Sequence, residues 1–132
     1  MIMARIFTFK GRTVEDLQKL KLTEFSKLIK SRNRRAITRM SSSYKSLILK
    51  AEKARKSESP KTVRTHTREA VILPSWVNMK FAVYDGKSFQ EMVIAPEMLG
   101  HRLGEFVYTV KRVVHSAPGI RATRGSKFLA VK

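Results

Sequence analysis

The sequence predicts an α+β fold: short basic helices, a small antiparallel sheet built on a β-hairpin, and an extended basic C-terminal tail. Three observations predict it. Helix-start signals with apolar residues at helical spacing occur before residue 60, period-two alternation brackets Asp85-Gly86 after it, and neither period continues beyond about residue 110.

Taken in order, Thr13 is a helix N-cap with Glu15 and Asp16 in the first turn, and Leu17 and Leu20 begin an apolar stripe, so a short helix runs from about 14 to 20. Thr23-Glu24 repeats the signal, and Phe25, Leu28 and Ile29 carry a second helix to about Lys30. The stretch "SRNRRAITRM", residues 31–40, is basic and polar and is expected to interrupt the helices. Ser41 to Ser43 then cap a third helix from Tyr44 to about Lys56. Its apolar face of Leu47, Ile48 and Ala51 is thin, and Lys45, Lys50, Lys53, Arg55 and Lys56 suit it to lie on an anion. The polar stretch "KSESPKT", residues 56–62, marks a connection. It separates a basic helical extension (1–60) from an α+β core (61–110), which the tail (111–132) follows.

In the core, Val71-Ile72-Leu73 ends at Pro74. Met79 to Tyr84 lead into Asp85-Gly86, the dipeptide favoured by two-residue type I′ hairpins, and Lys87 to Ile94 form the return strand. A two-residue turn pairs Tyr84 with Lys87, Phe81 with Gln90 and Lys80 with Glu91. Val77, Met79, Phe81, Val83, Met92 and Ile94 then share the buried face. Pro96 stops the strand.

Charge points to the partner. Lys and Arg number 28 against 10 Asp and Glu, a formal net charge of +18. No acidic residue occurs from Phe25 to Ala51, where eight basic ones do, and none follows Glu105. Such one-signed blocks, mixed with Ser, Thr, Asn and Gly, are suited to phosphate and sugar contacts. Enzymatic chemistry finds no footing. The chain has no cysteine, its histidines 66, 101 and 115 lack metal-ligand spacing, and it has no nucleophile elbow or phosphate loop. Neither a cofactor nor a metal is expected. No apolar run is long enough to span a membrane, no signal segment opens the chain, and Trp76 lies beside Pro74 rather than on an amphipathic helix, so a cytoplasmic location is expected.

The stretch "MLGHRLGEF", residues 98–106, sets His101 between glycines. Leu99, Leu103 and Phe106 can anchor the loop while Gly100 and Gly104 allow unusual backbone or close approach, which pushes His101 and Arg102 outward. An imidazole and a guanidinium on a rigid turn suit RNA, where both can stack on bases and donate to phosphate or ribose oxygens.

The same residues carry a resemblance. Asp85-Gly86-Lys87, six residues, Ile94, four residues, Leu99-Gly100, two residues, Leu103-Gly104-Glu105-Phe106, two residues and Thr109 form a pattern similar to the signature of the small-subunit ribosomal protein nineteen family. Upstream "KTVRTHTREAVILPSWV", downstream "HSAPGIRATRGSKF" and the paired helices with "SRNRRA" resemble its archaeal and eukaryotic members. Asn78 and Ala82 stand where glycine is frequent in the family, as do Ser116 and Arg121 in the tail. The resemblance implies a non-enzymatic protein on the 3′ domain of small-subunit ribosomal RNA, in the subunit head. It further implies small-subunit ribosomal protein thirteen as a neighbour and a tail reaching towards the decoding region and tRNA.

The expected RNA face comprises Lys61, Arg64, Thr65, His66, Arg68, Lys87, His101 and Arg102, joined by Arg32, Arg34 and Arg35 of the extension. Arg64, His66 and Arg68 alternate and should project together if extended. Gly86, Gly100 and Gly104 are expected to be structural, and Arg121, Arg124 and Lys127 to carry the tail's RNA contacts. The alternative, a nucleic-acid-compacting architectural protein, would need a minor-groove wedge or a symmetric dimer, and neither pattern is present.

Overall fold

The chain first reverses at Lys10-Gly11, where both residues adopt positive φ (51° and 75°). That is the geometry of a two-residue hairpin turn, and it pairs Thr8–Phe9 (β1) with Arg12–Thr13 (β2). The computed structural model describes residues 6–57, 61–117 and 119.

Helix α1 (Val14–Lys19) starts where its cap predicts. The Thr13 hydroxyl accepts from the Asp16 N–H and donates to the Asp16 carboxylate at 2.8 Å, which lowers that carboxyl's pKa. Helix α2 spans Leu22–Leu28 and buries Phe25. The expected interruption is instead a third helix, α3 (Ser31–Thr38). Asn33, Ala36, Ile37 and Met40 lie at helical spacing toward the core, and Arg34 closes the preceding turn by donating to the carbonyls of Ser26, Lys27 and Ile29. Helix α4 (Ser42–Lys56) is capped by the Ser41 hydroxyl and buries Tyr44, Leu47 and Ala51.

The main sheet is mixed rather than purely antiparallel. Val63–Thr65 (β3) runs parallel to Lys80–Tyr84 (β4), which pairs antiparallel with Phe89–Val93 (β5). The crossover between β3 and β4 carries the 3₁₀ turn Pro74–Trp76. The hairpin register also differs from expectation: Tyr84 faces Phe89, Phe81 faces Met92 and Lys80 faces Val93. Asp85 is the reason. Its carboxylate accepts the backbone N–H groups of Lys87 and Ser88, each at 2.7 Å, and so opens the loop to four residues. The pairing slips by two positions, one side-chain period, and the faces survive. Phe81, Val83 and Ile94 are buried, and Met79 and Met92 pack partly buried against them.

One apolar cluster unites both halves, from Leu17 and Phe25 through Tyr44, Leu47 and Trp76 to Leu103 and Val107. Asn78, in the tight turn before β4, has φ +67° and donates its N–H to the Ile94 carbonyl. Asparagine tolerates that left-handed conformation better than other side-chain-bearing residues, which explains how it replaces the family's frequent glycine.

Candidate nucleic-acid interface

The loop after β5 docks on the segment 68–73 by backbone hydrogen bonds. The Ile72 N–H donates to the His101 carbonyl, Leu103 N–H to the Ala70 carbonyl and Gly104 N–H to the Arg68 carbonyl, at 2.8–3.0 Å. Leu99 and Leu103 are buried beneath it. Both glycines are required. Gly100 has φ +77° and a Cβ there would meet Ile29 at 3.2 Å, while a Cβ on Gly104 would meet the Arg68 carbonyl and Cβ at 3.0 Å.

This loop presents His101 to solvent. Its Nδ1 lies 2.8 Å from a Glu105 carboxylate oxygen, and its ring stands edge-on to Phe106. Among the described residues no cluster of potential metal ligands accompanies it. Arg102 is held differently: its Nε donates to the Asn33 side-chain oxygen at 3.1 Å, and the Asn33 amide donates to the Gly100 carbonyl at 2.6 Å. The buried asparagine of α3 therefore spends both ends of its amide on the loop.

Arg102 faces a cleft of about 270 Å³ whose other walls are Arg32, Arg35 and Ala36 of α3, Arg39 at its C-cap, Ser41 and Tyr44 at the start of α4, and Glu69. Tyr44 is anchored by donating its hydroxyl to the Val71 carbonyl at 2.9 Å, and burial pushes its phenol pKa up. A neighbouring cleft shares Arg32 and Arg102 and adds Lys10, Lys30 and His101. Among the described residues the single base–carboxylate contact within ion-pair distance is His101 with Glu105, charged only with the imidazole protonated. The arginines of both clefts have no carboxylate partner, an arrangement that repels itself until an anion arrives.

At the hairpin end, β3 presents Arg64 and the chain beyond it His66. The His66 ring lies 4.6 Å from Tyr84 and 5.0 Å from Phe89, and the Arg64 guanidinium sits 5.8 Å over Phe89. Lys61 and Lys87 are exposed on the same half of the chain.

Arg68 does not project with Arg64 and His66. It turns inward and donates to the carbonyls of Tyr84 (2.7 Å), Gly104 (3.0 Å) and Val107, because the chain leaves the strand after Thr65 and the period of two ends there. Thr65 is 7% exposed, and its hydroxyl accepts from the Thr67 N–H. Arg34 likewise gives its donors to the carbonyls at the end of α2. The geometry therefore brings together Arg32, Arg35, His101 and Arg102 on one face and Arg64, His66 and Lys87 near the hairpin. Arg121, Arg124 and Lys127 lie outside the described residues. Sequence reading missed Arg39, Asn33 and Glu69. The spacing 32, 35, 39 would have shown one helical face, had residues 31–38 been read as a helix.

Comparison with known proteins agrees with the signature motif. The sequence profile described as Ribosomal protein S19 matches residues 34–115, more than half of the chain. The small ribosomal subunit protein uS19 of Saccharolobus solfataricus is 43% identical over 128 residues, covering 96% of this chain and 91% of the relative. The chain belongs to the ribosomal protein S19 family. Its counterpart in Metallosphaera sedula shows the same identity and coverage. An S19-family chain is a structural, non-enzymatic component of the small ribosomal subunit, an rRNA-binding ribonucleoprotein part of the translation apparatus. Its place of work is accordingly the ribosome, in the cytoplasm.

Proposed function

We propose that this chain seats on the 3′ domain of small-subunit ribosomal RNA, in the subunit head. The faces of Arg32, Arg35, Arg102 and His101 and of Arg64, His66 and Lys87 carry the contacts. The observation behind this reading is a surface of arginines without carboxylate partners, set on a rigid loop whose backbone bonds and buried leucines hold it in place. RNA phosphates would neutralise it, and affinity for RNA should fall steeply with salt, with about 0.7–0.9 in the log-log slope for each phosphate contacted.

Small-subunit ribosomal protein thirteen is the proposed protein neighbour. The tail, rich in spaced cations and free of acids, is proposed to extend towards the decoding region and tRNA, gaining phosphate contacts through Arg121, Arg124 and Lys127. Lys61 is proposed to contribute from the entry to the core.

The test is binding of the full chain to transcripts of the 3′ and 5′ domains of small-subunit rRNA, with and without protein thirteen. Preference for the 3′ domain, strengthened by protein thirteen, is expected. Equal binding to both domains would remove the assignment. For the tail, deletion of residues 115–132 should leave incorporation into subunits intact and lower translation rate or accuracy. No change in either would remove the tail's role.

A further inference from the structure

The cleft between α3, the start of α4 and the loop at Arg102 has a composition that bulk charge does not require. Four arginines wall it, and Glu69 is the one carboxylate among its lining residues. That carboxylate forms no ion pair with any of the four, since the single base–carboxylate contact within ion-pair distance among the described residues lies elsewhere. The arginines are also not free to scatter. Arg32, Arg35 and Arg39 follow helical spacing, and Arg102 is oriented by Asn33, which is itself 9% exposed and bonded to the Gly100 carbonyl. Only the Nε of Arg102 is spent on Asn33, and its two Nη groups make no hydrogen bond among the described residues.

Building on the RNA-binding reading above, we propose that this cleft is a clamp for one RNA phosphodiester and that Glu69 accepts a hydrogen bond from the adjoining ribose 2′-hydroxyl. Planar guanidinium forks match phosphate oxygens in pairs, which a lysine cannot do. A carboxylate beside them weakens binding to phosphate taken alone, because like charges repel. It is tolerated where the ligand also offers a hydroxyl donor, and the 2′-hydroxyl is the donor that separates RNA from DNA. Arg35 and Arg39 supply charge from the helix face, Arg102 the oriented fork, and Glu69 the sugar discrimination. The clamp reads backbone rather than sequence, so any RNA strand that fits the cleft engages it.

The test uses the full chain, a short 3′-domain RNA hairpin, an unrelated RNA hairpin of equal length, and the all-deoxy version of each, with fluorescence anisotropy across a salt series. The variants are Arg35→Gln with Arg39→Gln, Glu69→Ala, and, as a charge-matched control on the exposed lysines of α2 and its start, Lys21→Gln with Lys27→Gln. None of these four basic side chains has a hydrogen-bond or ion-pair partner among the described residues, so each double variant should keep the native circular dichroism and unfolding midpoint. The arginine pair should lose about tenfold in affinity and about 0.7–0.9 in salt slope for the phosphate released, whereas the lysine pair should lose less than threefold. Glu69→Ala should raise affinity for the deoxy strand more than for RNA, narrowing the RNA preference several-fold. Equal losses in the arginine and lysine pairs would overturn the clamp, and an undiminished RNA preference in Glu69→Ala would overturn the role of the carboxylate. Failure of the wild-type chain to prefer the 3′-domain hairpin over the unrelated one would instead count against the ribosomal seat, while the clamp would remain measurable on either RNA.

Discussion

Replacing Arg68 with alanine should cost about 2–4 kcal/mol of folding stability. The guanidinium donates to three backbone carbonyls, of Tyr84, Gly104 and Val107, and so ties the end of β4 to the loop that carries His101 and Arg102. A hydrogen bond to a charged group contributes roughly 1.5–3 kcal/mol. Arg68 is only half-buried, so water can replace part of what the side chain supplied, and the loss should fall near two bonds at the lower end of that range. For a chain of this size that is a fall of about 10 °C in the unfolding midpoint, or about 1–2 M in urea. The assay is urea unfolding of the full chain followed by circular dichroism, with Arg64→Ala as the exposed neighbour expected to change stability by less than about 0.5 kcal/mol. An Arg68→Ala chain as stable as wild type that lost tenfold in RNA affinity would refute the strap and make Arg68 an RNA ligand.

Gly104→Ala should destabilise by about 1–3 kcal/mol, since a new Cβ would press on the Arg68 carbonyl and Cβ at 3.0 Å; thermal unfolding checks it. Asn78→Gly should be close to neutral and Asn78→Val should cost about 1–2 kcal/mol, because a β-branched side chain is strained at φ +67°. The Asp85 carboxyl is held well below the usual carboxylate range by the N–H groups of Ser88 and Lys87 and the Gln90 amide. Its native pKa lies below the ordinary 3.8, so its contribution is present above about pH 4 and is lost as pH falls towards the native value. Asp85→Asn should therefore flatten the acid side of a urea-midpoint curve taken from pH 6 to pH 2. Glu105→Gln, which removes an exposed pairing to His101, should change stability by less than about 0.5 kcal/mol.

Much of the fold was legible because each signal was local. Thr13 and Ser41 cap helices where the chain says they should, and the alternation through Met79 to Val83 and Met92 to Ile94 gave the buried face correctly. The register was not legible, because Asp85 can either enter a two-residue turn or cap a four-residue loop with its carboxylate, and tertiary packing decides. Helix α3 is hidden because Asn33 takes an apolar position in its inward stripe and three arginines, followed by a fourth at its C-cap, dilute what remains. With the helix went the row of Arg32, Arg35 and Arg39, so the sequence points to a face that includes Arg32 and Arg35 but not to the cleft that Arg39 and Glu69 wall with them. Arg68 differs from the alternation for a related reason: the strand ends at Thr65, and the side chain three residues on turns inward to the carbonyls of Tyr84, Gly104 and Val107. The signature from Asp85 to Thr109 points to the family, and two of its glycines, Gly100 and Gly104, answer close contacts that a side chain would crowd.

The central claim, that this chain is a tightly held structural part of the small ribosomal subunit, is tested most directly by sedimentation. A native lysate is run through sucrose gradients at low and at high salt, and the chain is followed by immunodetection. It should migrate with the small subunit at low salt and remain there until salt is high enough to strip RNA-bound proteins. Sedimentation as a free protein at low salt would contradict the account.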